Sequence, residues 1–160
     1  MLYFQRRMKL KQGVGVIITN EEKGLFYIQQ KDETYPLKEF RLKYTVFGGG
    51  IEEGEDDLEA LERELLEELD GSVAKIVFAS SKKIKGEKIK TIHGEEYLFN
   101  LYESTLSNEE IKEISKHKVK EGKQGSLISK NDISKIEFVD DLIPLLEEYF
   151  TGLTNQQELN

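Results

Sequence analysis

Between Gly48 and Gly71 the chain reads GGGIEEGEDDLEALERELLEELDG, and this stretch constrains the fold more than any other. Three consecutive glycines can adopt backbone conformations closed to other residues, and the leucines that follow recur at helical spacing. Counted at about 100° per residue, Leu58, Leu61, Leu65 and Leu69 form a stripe roughly 80° wide, with Leu66 at its border. That stripe is expected to face a core. On another side of the helix Glu64, Glu67 and Glu68 share a sector about 100° wide, with Glu64 and Glu68 one turn apart. Like charges at this spacing cost about a few tenths of a kcal/mol per pair on an exposed helix, so propensity alone does not recommend them. A hard divalent cation reverses that sign. Magnesium takes oxygen ligands, prefers an octahedron and keeps several waters, so helix carboxylates completed by substrate phosphates would suit it. A glutamate-rich, solvated helix in an acidic protein is the competing reading.

The surrounding segments supply strands. From Gly13, GVGVIITN and LFYIQQK flank the turn-forming EEKG and predict a hairpin, and KDETYPLKEFRLK loops around Pro36 before YTVFGGG brings a brief strand into the glycine turn. AKIVFASSKKI and KIKTI, separated near Gly86, predict a second hairpin, and EEYLFNLYEST a further strand. SNEEIKEI opens a short helix on an N-cap serine or asparagine, KHKVKEGKQGS is loop-like, and KIEFV reads as a last edge strand. DDLIPLLEEYF begins a final helix with aspartates at its N-terminus and Pro144 near its first turn. The expected architecture is α/β, a mixed sheet flanked by helices, with the strand order left open.

With 160 residues, 38% of them hydrophobic, the chain suits one domain, expected over 13–151. Residues 1–12 form an N-terminal segment in which MLYFQ resembles the end of a protease site placed behind purification tags, so Leu2 to Gln5 are set aside as tag-derived. Gly152 is expected to stop the last helix and leave 152–160 as a flexible tail. The net charge of -8 repels a phosphate backbone and offers no general basis for binding nucleic-acid polymers. There is no cysteine, which excludes disulfides and thiolate metal sites, and His93 and His117 lack paired-ligand spacing. No apolar run approaches the length of a membrane span, and a cytoplasmic location is expected.

Gly49, Glu55, Arg63, Glu64, Leu65, Glu67 and Glu68 stand at the spacings of the Nudix box, G-x5-E-x7-R-E-U-x-E-E-x-G-U with U aliphatic, and on these residues the chain resembles the Nudix hydrolase family. It departs from the box only at the end, where Asp70 replaces glycine and Gly71 takes the aliphatic position. The expected meaning is a helix exit displaced by one residue, with Gly71 as a left-handed C-cap. The resemblance implies an α/β/α sandwich and a Mg2+-dependent hydrolase, with Mn2+ as the alternative ion, acting on a nucleoside diphosphate linked to another group. It implies Glu64, Glu67 and Glu68 as metal-binding carboxylates, the Gly48 carbonyl as a backbone ligand, and Gly49, Glu55 and Arg63 as structural, with Glu52 or Glu55 as the partner of Arg63.

A second resemblance, of KEGKQGSLIS to a loop and strand entry in MutT-like members, brings Glu121 to the metal site. Glu64 is the first candidate for general base and Glu121 the second, with Glu67 in the same catalytic group. Asp140 and Asp141 open the final helix where some purine-triphosphate hydrolases read the base, N-capping being the other reading. Phe40, Tyr44, Phe47, Tyr97 and Phe99 are candidates for stacking on a base, and Arg41 and Lys43 for phosphate contacts. A (deoxy)nucleoside triphosphate, cleaved to a monophosphate and pyrophosphate, is the preferred substrate. ADP-ribose, a dinucleoside polyphosphate, or a non-catalytic nucleotide-binding domain are the alternatives. The expected partner is a small nucleotide, with no membrane and a monomer or homodimer.

Overall fold

The computed structural model describes residues 10–158, so Leu2 to Gln5 lie outside the described residues. Seven strands form one mixed sheet in the order β3-β2-β1-β6-β5, with β4 also on β1 and β7 on β2. β1 (Lys11–Asn20) is the central strand and runs parallel to β6 (Glu96–Leu106) along its whole length. Its other side is shared. Val14 to Val16 pair with β4 (Phe47–Gly50), whereas Ile18 and Thr19 pair with β2 (Leu25–Gln30). The sheet therefore forks beside β1, and the glycine turn leaves at the fork. β3 (Tyr44–Thr45) and β7 (Gln124–Ser129) flank β2, and β5 (Ser81–Lys90) closes the far edge against β6.

Helices cover both faces. α1 (Asp57–Glu68), α2 (Gly71–Ala79) and α3 (Asn108–Ile114) bury Leu61, Leu65, Val73, Val77, Ile111 and Ile114 against Val14, Val16, Tyr27 and Tyr102. α4 (Ile143–Glu158) packs Leu145, Leu146 and Leu153 on Ile17, Phe26, Ile28 and Leu101 of the opposite face. Alternate residues of β1 and β2 thus supply two separate cores, as a strand period of two requires. Among the described residues no helix is long and apolar enough to cross a membrane. The first hairpin, the α1 helix, the strand at EEYLFNLYEST and the helix at SNEEIKEI form as the sequence predicts, the last with a reciprocal Ser107 and Glu110 capping box.

Several expectations fail for identifiable reasons. AKIVFA is not strand but the body of α2: Val73, Ala74 and Val77 bury one helical stripe, and Asp70 caps the helix by accepting from the Ser72 N–H at 3.1 Å. Helical spacing of the buried positions overrides their β-branched composition. Asp70 and Gly71 accordingly begin a second helix, and Gly71 is no left-handed cap, because Leu69 ends α1 in extended backbone. Gly86 lies inside one continuous β5, so the second hairpin joins β5 to β6 instead. KIEFV makes only a bridge from Phe138 to Tyr44, since β3 is two residues long and offers nothing further to extend. α4 runs through Gly152 and buries Leu153, so the expected stop there is wrong. Leu58 is 46% exposed because the buried arc of α1 runs instead through Ala60, Leu61, Leu65 and Glu68.

Candidate active site

α1 crosses one face of the sheet with its C-terminal end beside the glycine turn, and this brings a carboxylate into the core. Glu68 is 1% exposed and accepts from the Gly48 N–H at 2.8 Å. Burial pushes its carboxyl up to about 8, against the lowering influence of that hydrogen bond. Gly48 sits at φ +145°, and a Cβ there would overlap the Val14 carbonyl and come within 2.6 Å of the Gly15 Cα. Only glycine allows the β4 backbone this close to β1. Gly49 is as tightly placed, since a Cβ on it would lie 2.5 Å from the Glu64 carboxylate. Burial also raises Glu64, opposed by the hydrogen bond and charge of Arg63.

Arg63 ties turn to helix. Its Nε and one terminal nitrogen grip both oxygens of Glu55 at 2.8 and 2.9 Å, and that same terminal nitrogen donates to the Gly50 carbonyl at 2.9 Å. Its other terminal nitrogen reaches Glu64 at 2.9 Å and Glu67 at 3.3 Å, while Glu52 stands farther off at 3.8 Å. Glu55 in turn accepts from the Glu52 N–H at 2.8 Å, closing the loop on itself. Paired charge-assisted bonds of this kind fix orientation as well as supplying energy. They hold the Glu55 carboxyl below the usual range and raise Arg63 above its own.

The three helix carboxylates do not converge as expected. Among the described residues no group of three or more acidic, histidine or cysteine side chains is placed to hold an ion. Glu64 and Glu67 lean to Arg63, whereas Glu68 turns inward to the Gly48 N–H. Like charges on one helix separate onto whatever donors are nearest. They remain one electrostatic neighbourhood nonetheless: Glu64 feels the charge of Glu67, Glu68 that of Glu64, and both that of Glu121. The donor set fits a hard cation, with oxygens throughout and a buried carboxyl, Glu68, that has no cationic hydrogen-bond partner among the described residues.

A cavity of about 380 Å³ opens against Gly48, Gly49 and Gly50 on the other side of the fork. Its floor is β1 at Gln12, Gly13 and Val14, and its walls bring Tyr35, Phe40, Tyr97, Phe99 and Asp141 from segments far apart in sequence. A Cβ on Gly13 would lie 3.1 Å from the Tyr97 ring and 3.3 Å from Phe99, so the bare strand lets both rings lie over it. Asp141 accepts from the Ile92 N–H at 2.9 Å, which pins the 91–95 turn to the cavity rim.

The remaining sequence-based candidates divide. Phe40, Tyr97, Phe99 and Asp141 line the cavity. Phe47 does not, being fully buried and stacked on Tyr27 in the core, and Tyr44 is outside the lining as well. Lys43 pairs with Asp140 at 2.9 Å and with Glu137 at 3.4 Å, and Arg41 Nε donates to the Tyr35 carbonyl at 2.8 Å. Those three therefore brace the loop, and none of them lines the cavity. Sequence reasoning missed Lys31 and Tyr35, which line the cavity with the lysine nitrogen 4.6 Å from the ring centroid. Nothing local marks them beyond an aromatic and a lysine in a polar loop.

A family model for the NUDIX domain matches residues 9–147. No curated protein matches the chain significantly. Among solved structures, the MutT protein from Methanosarcina mazei Go1 is similar at a TM-score of 0.63 and 16% identity, over 92% of this chain and 94% of that one. The NUDIX domain of Shewanella oneidensis NrtR, complexed with ADP ribose, gives 0.63 and 14% over 89% and 87%. A C. elegans Ap4A hydrolase gives 0.57 and 19% over 89% and 98%. At these identities the structural likeness speaks for the fold.

Proposed function

The chain belongs to the Nudix family, and we propose that it hydrolyses the phosphoanhydride of a (deoxy)nucleoside triphosphate, releasing a nucleoside monophosphate and pyrophosphate with Mg2+, or Mn2+, as cofactor. One observation carries this reading: the aromatic cavity and the carboxylates of α1 meet at the same three glycines, Gly48 to Gly50. A nucleoside seated in the cavity against Phe40, Tyr97 and Phe99 directs its phosphates across that turn toward Glu64 and Glu68. Asp141, at the rim, offers a carboxylate to a base amine or ring N–H.

Glu64, Glu67 and Glu68 are the side chains that would hold the cation, with the Gly48 carbonyl as a further oxygen. A bound magnesium neutralises phosphate charge and makes water more acidic. Arg63 keeps the turn and helix in register and, through Glu64, orients a carboxylate at the reacting end. Glu64 accepts the proton of the attacking water, a role that suits a carboxylate raised by burial, and Glu121 is the second candidate. Lys31, whose charge acts on Glu68, lines the cavity and supplies positive charge for the phosphate tail.

The test is product analysis on a panel of nucleoside triphosphates, ADP-ribose and dinucleoside polyphosphates, followed by chromatography and phosphate release. Metal-dependent appearance of a monophosphate and pyrophosphate is expected. Tight nucleotide binding with no product in either metal would make this a binding domain, and turnover confined to ADP-ribose would overturn the substrate class.

A further inference from the structure

Residues 120–123 form a short strap that carries Glu121 from the end of α1 to the start of β7, held by α1 at one end and by β2 along the rest. The Lys120 N–H donates to the Glu68 carbonyl at 2.8 Å and its Nζ to the Leu66 carbonyl at 3.1 Å, so the strap covers the open C-terminal carbonyls of α1. The Lys123 N–H donates to the Gln30 carbonyl at 2.8 Å. Gly122 lies at φ +81°, and a Cβ there would meet the Gln30 carbonyl at 2.7 Å and the Gln29 side chain at 3.2 Å. Between these anchors the Gln29 Nε2 donates to the Glu121 carbonyl at 3.2 Å. Gln29 is 1% exposed, and its Oε1 is buried with no hydrogen-bond partner among the described residues. A buried amide oxygen without a partner costs about 1–3 kcal/mol. A core position facing Tyr27 and Gly125 would ordinarily take an apolar side chain. What the amide supplies there is the one bond to the residue bearing the Glu121 carboxylate.

We infer that Gln29 is a positioning residue, which fixes the backbone of Glu121 so that its carboxylate is presented to Glu64 and Glu68 across the end of α1. The inference rests on the proposed hydrolase function, and it assigns to a core glutamine the task of holding a catalytic loop that has no regular structure of its own. The strap has hydrogen bonds to β2 on one side and α1 on the other, so a shift of either end moves Glu121. Displacement of a reacting group by about 1 Å can cost on the order of 100-fold in rate.

Gln29→Met keeps the length and unbranched shape of the side chain while removing both the donor and the orphan oxygen. In the full chain with Mg2+ we expect kcat on the preferred nucleotide to fall at least about tenfold with KM held within about twofold. Amide exchange at 120–123, measured without nucleotide, is expected to quicken, and the melting temperature to stay level or rise. A lowered melting temperature with unchanged kcat and unchanged exchange would overturn the inference, because Gln29 would then be core filling alone. Should Gln29→Met fold poorly, Gly122→Ala displaces the strap by pressing a Cβ on the Gln30 carbonyl. The same selective fall in kcat supports the inference there, and wild-type kcat overturns it. If the wild-type chain hydrolyses no nucleotide, the functional reading fails by itself, and amide exchange in Gln29→Met alone decides whether Gln29 holds the strap.

Discussion

The carboxylate half of the site and the cavity half are built on opposite principles. From Gly48 to Glu68 every component lies within one turn and one helix, and Arg63 joins them by hydrogen bonds to Glu55, Gly50, Glu64 and Glu67. The cavity draws its walls from β1, the loop around Tyr35 and Phe40, the 91–99 region and the segment before α4. It has no central residue. Its shape comes from the fork beside β1 and from glycines at 13 and 15 that admit the rings of Tyr97 and Phe99. A wired site should fail sharply at single residues, and an assembled one should fail by degrees.

The most severe loss is expected on the wired side. Glu64→Gln should reduce kcat by about 100-fold to 10,000-fold, the range for removing a general base, with the circular-dichroism spectrum unchanged. Wild-type turnover in that variant would move the base to Glu121. Arg63→Ala should lower kcat by about 10- to 100-fold through misplaced carboxylates, as loss of an orienting partner does elsewhere. Its mark is a simultaneous fall in magnesium affinity, which calorimetry with the metal alone would register.

On the cavity side Tyr97→Ala should raise KM by about tenfold with kcat nearly intact, since stacking on a base is worth about 1–3 kcal/mol. An unchanged KM would leave Tyr97 as core packing only. Gly15→Ala probes the strand next to the floor without touching any carboxylate. Its Cβ would lie 2.6 Å from Val46 and 2.7 Å from Phe99, and overpacking of that kind costs about 1–3 kcal/mol of stability, measurable by denaturant titration.

The last prediction concerns pH and is read in stability, not in turnover. Glu68 is raised in the folded chain to about 8, above the unfolded value of about 4.3, so the folded state holds the extra proton. The stability it contributes is full below the unfolded pKa and is lost as pH rises through the folded one. In chelator the melting temperature should therefore decline between about pH 5 and pH 8 from this group, and added magnesium should flatten the decline. A flat profile in chelator would mean that Glu68 ionises freely, without its burial mattering.

Much of the wired half was readable in advance because its information is local. The spacing from Gly49 to Glu68 sets which residues share a turn, and the arginine among the carboxylates announces the ion pairs. Local periodicity also marked α1 and the first hairpin. It failed at AKIVFA, where β-branched composition hid a helical stripe, and at Leu58, where the leucine spacing pointed to a burial that the sheet does not provide. Phe47 looked like a stacking ring and proved to be core, because its β4 neighbours turn it toward Tyr27.

Residue spacing by itself determined the carboxylate helix and its arginine and carried the resemblance to the family, because covalent connectivity and the 3.6-residue period already place those groups together. The tertiary structure decided that Glu68 is buried while Glu67 is exposed, that Asp141 and Tyr97 share a wall, and that Gln29 reaches Glu121. Those relations join positions tens of residues apart, and they arise from strand order and from which face of β1 each core occupies. No local pattern encodes that, since the same alternation of residues can pack against either layer until the sheet closes.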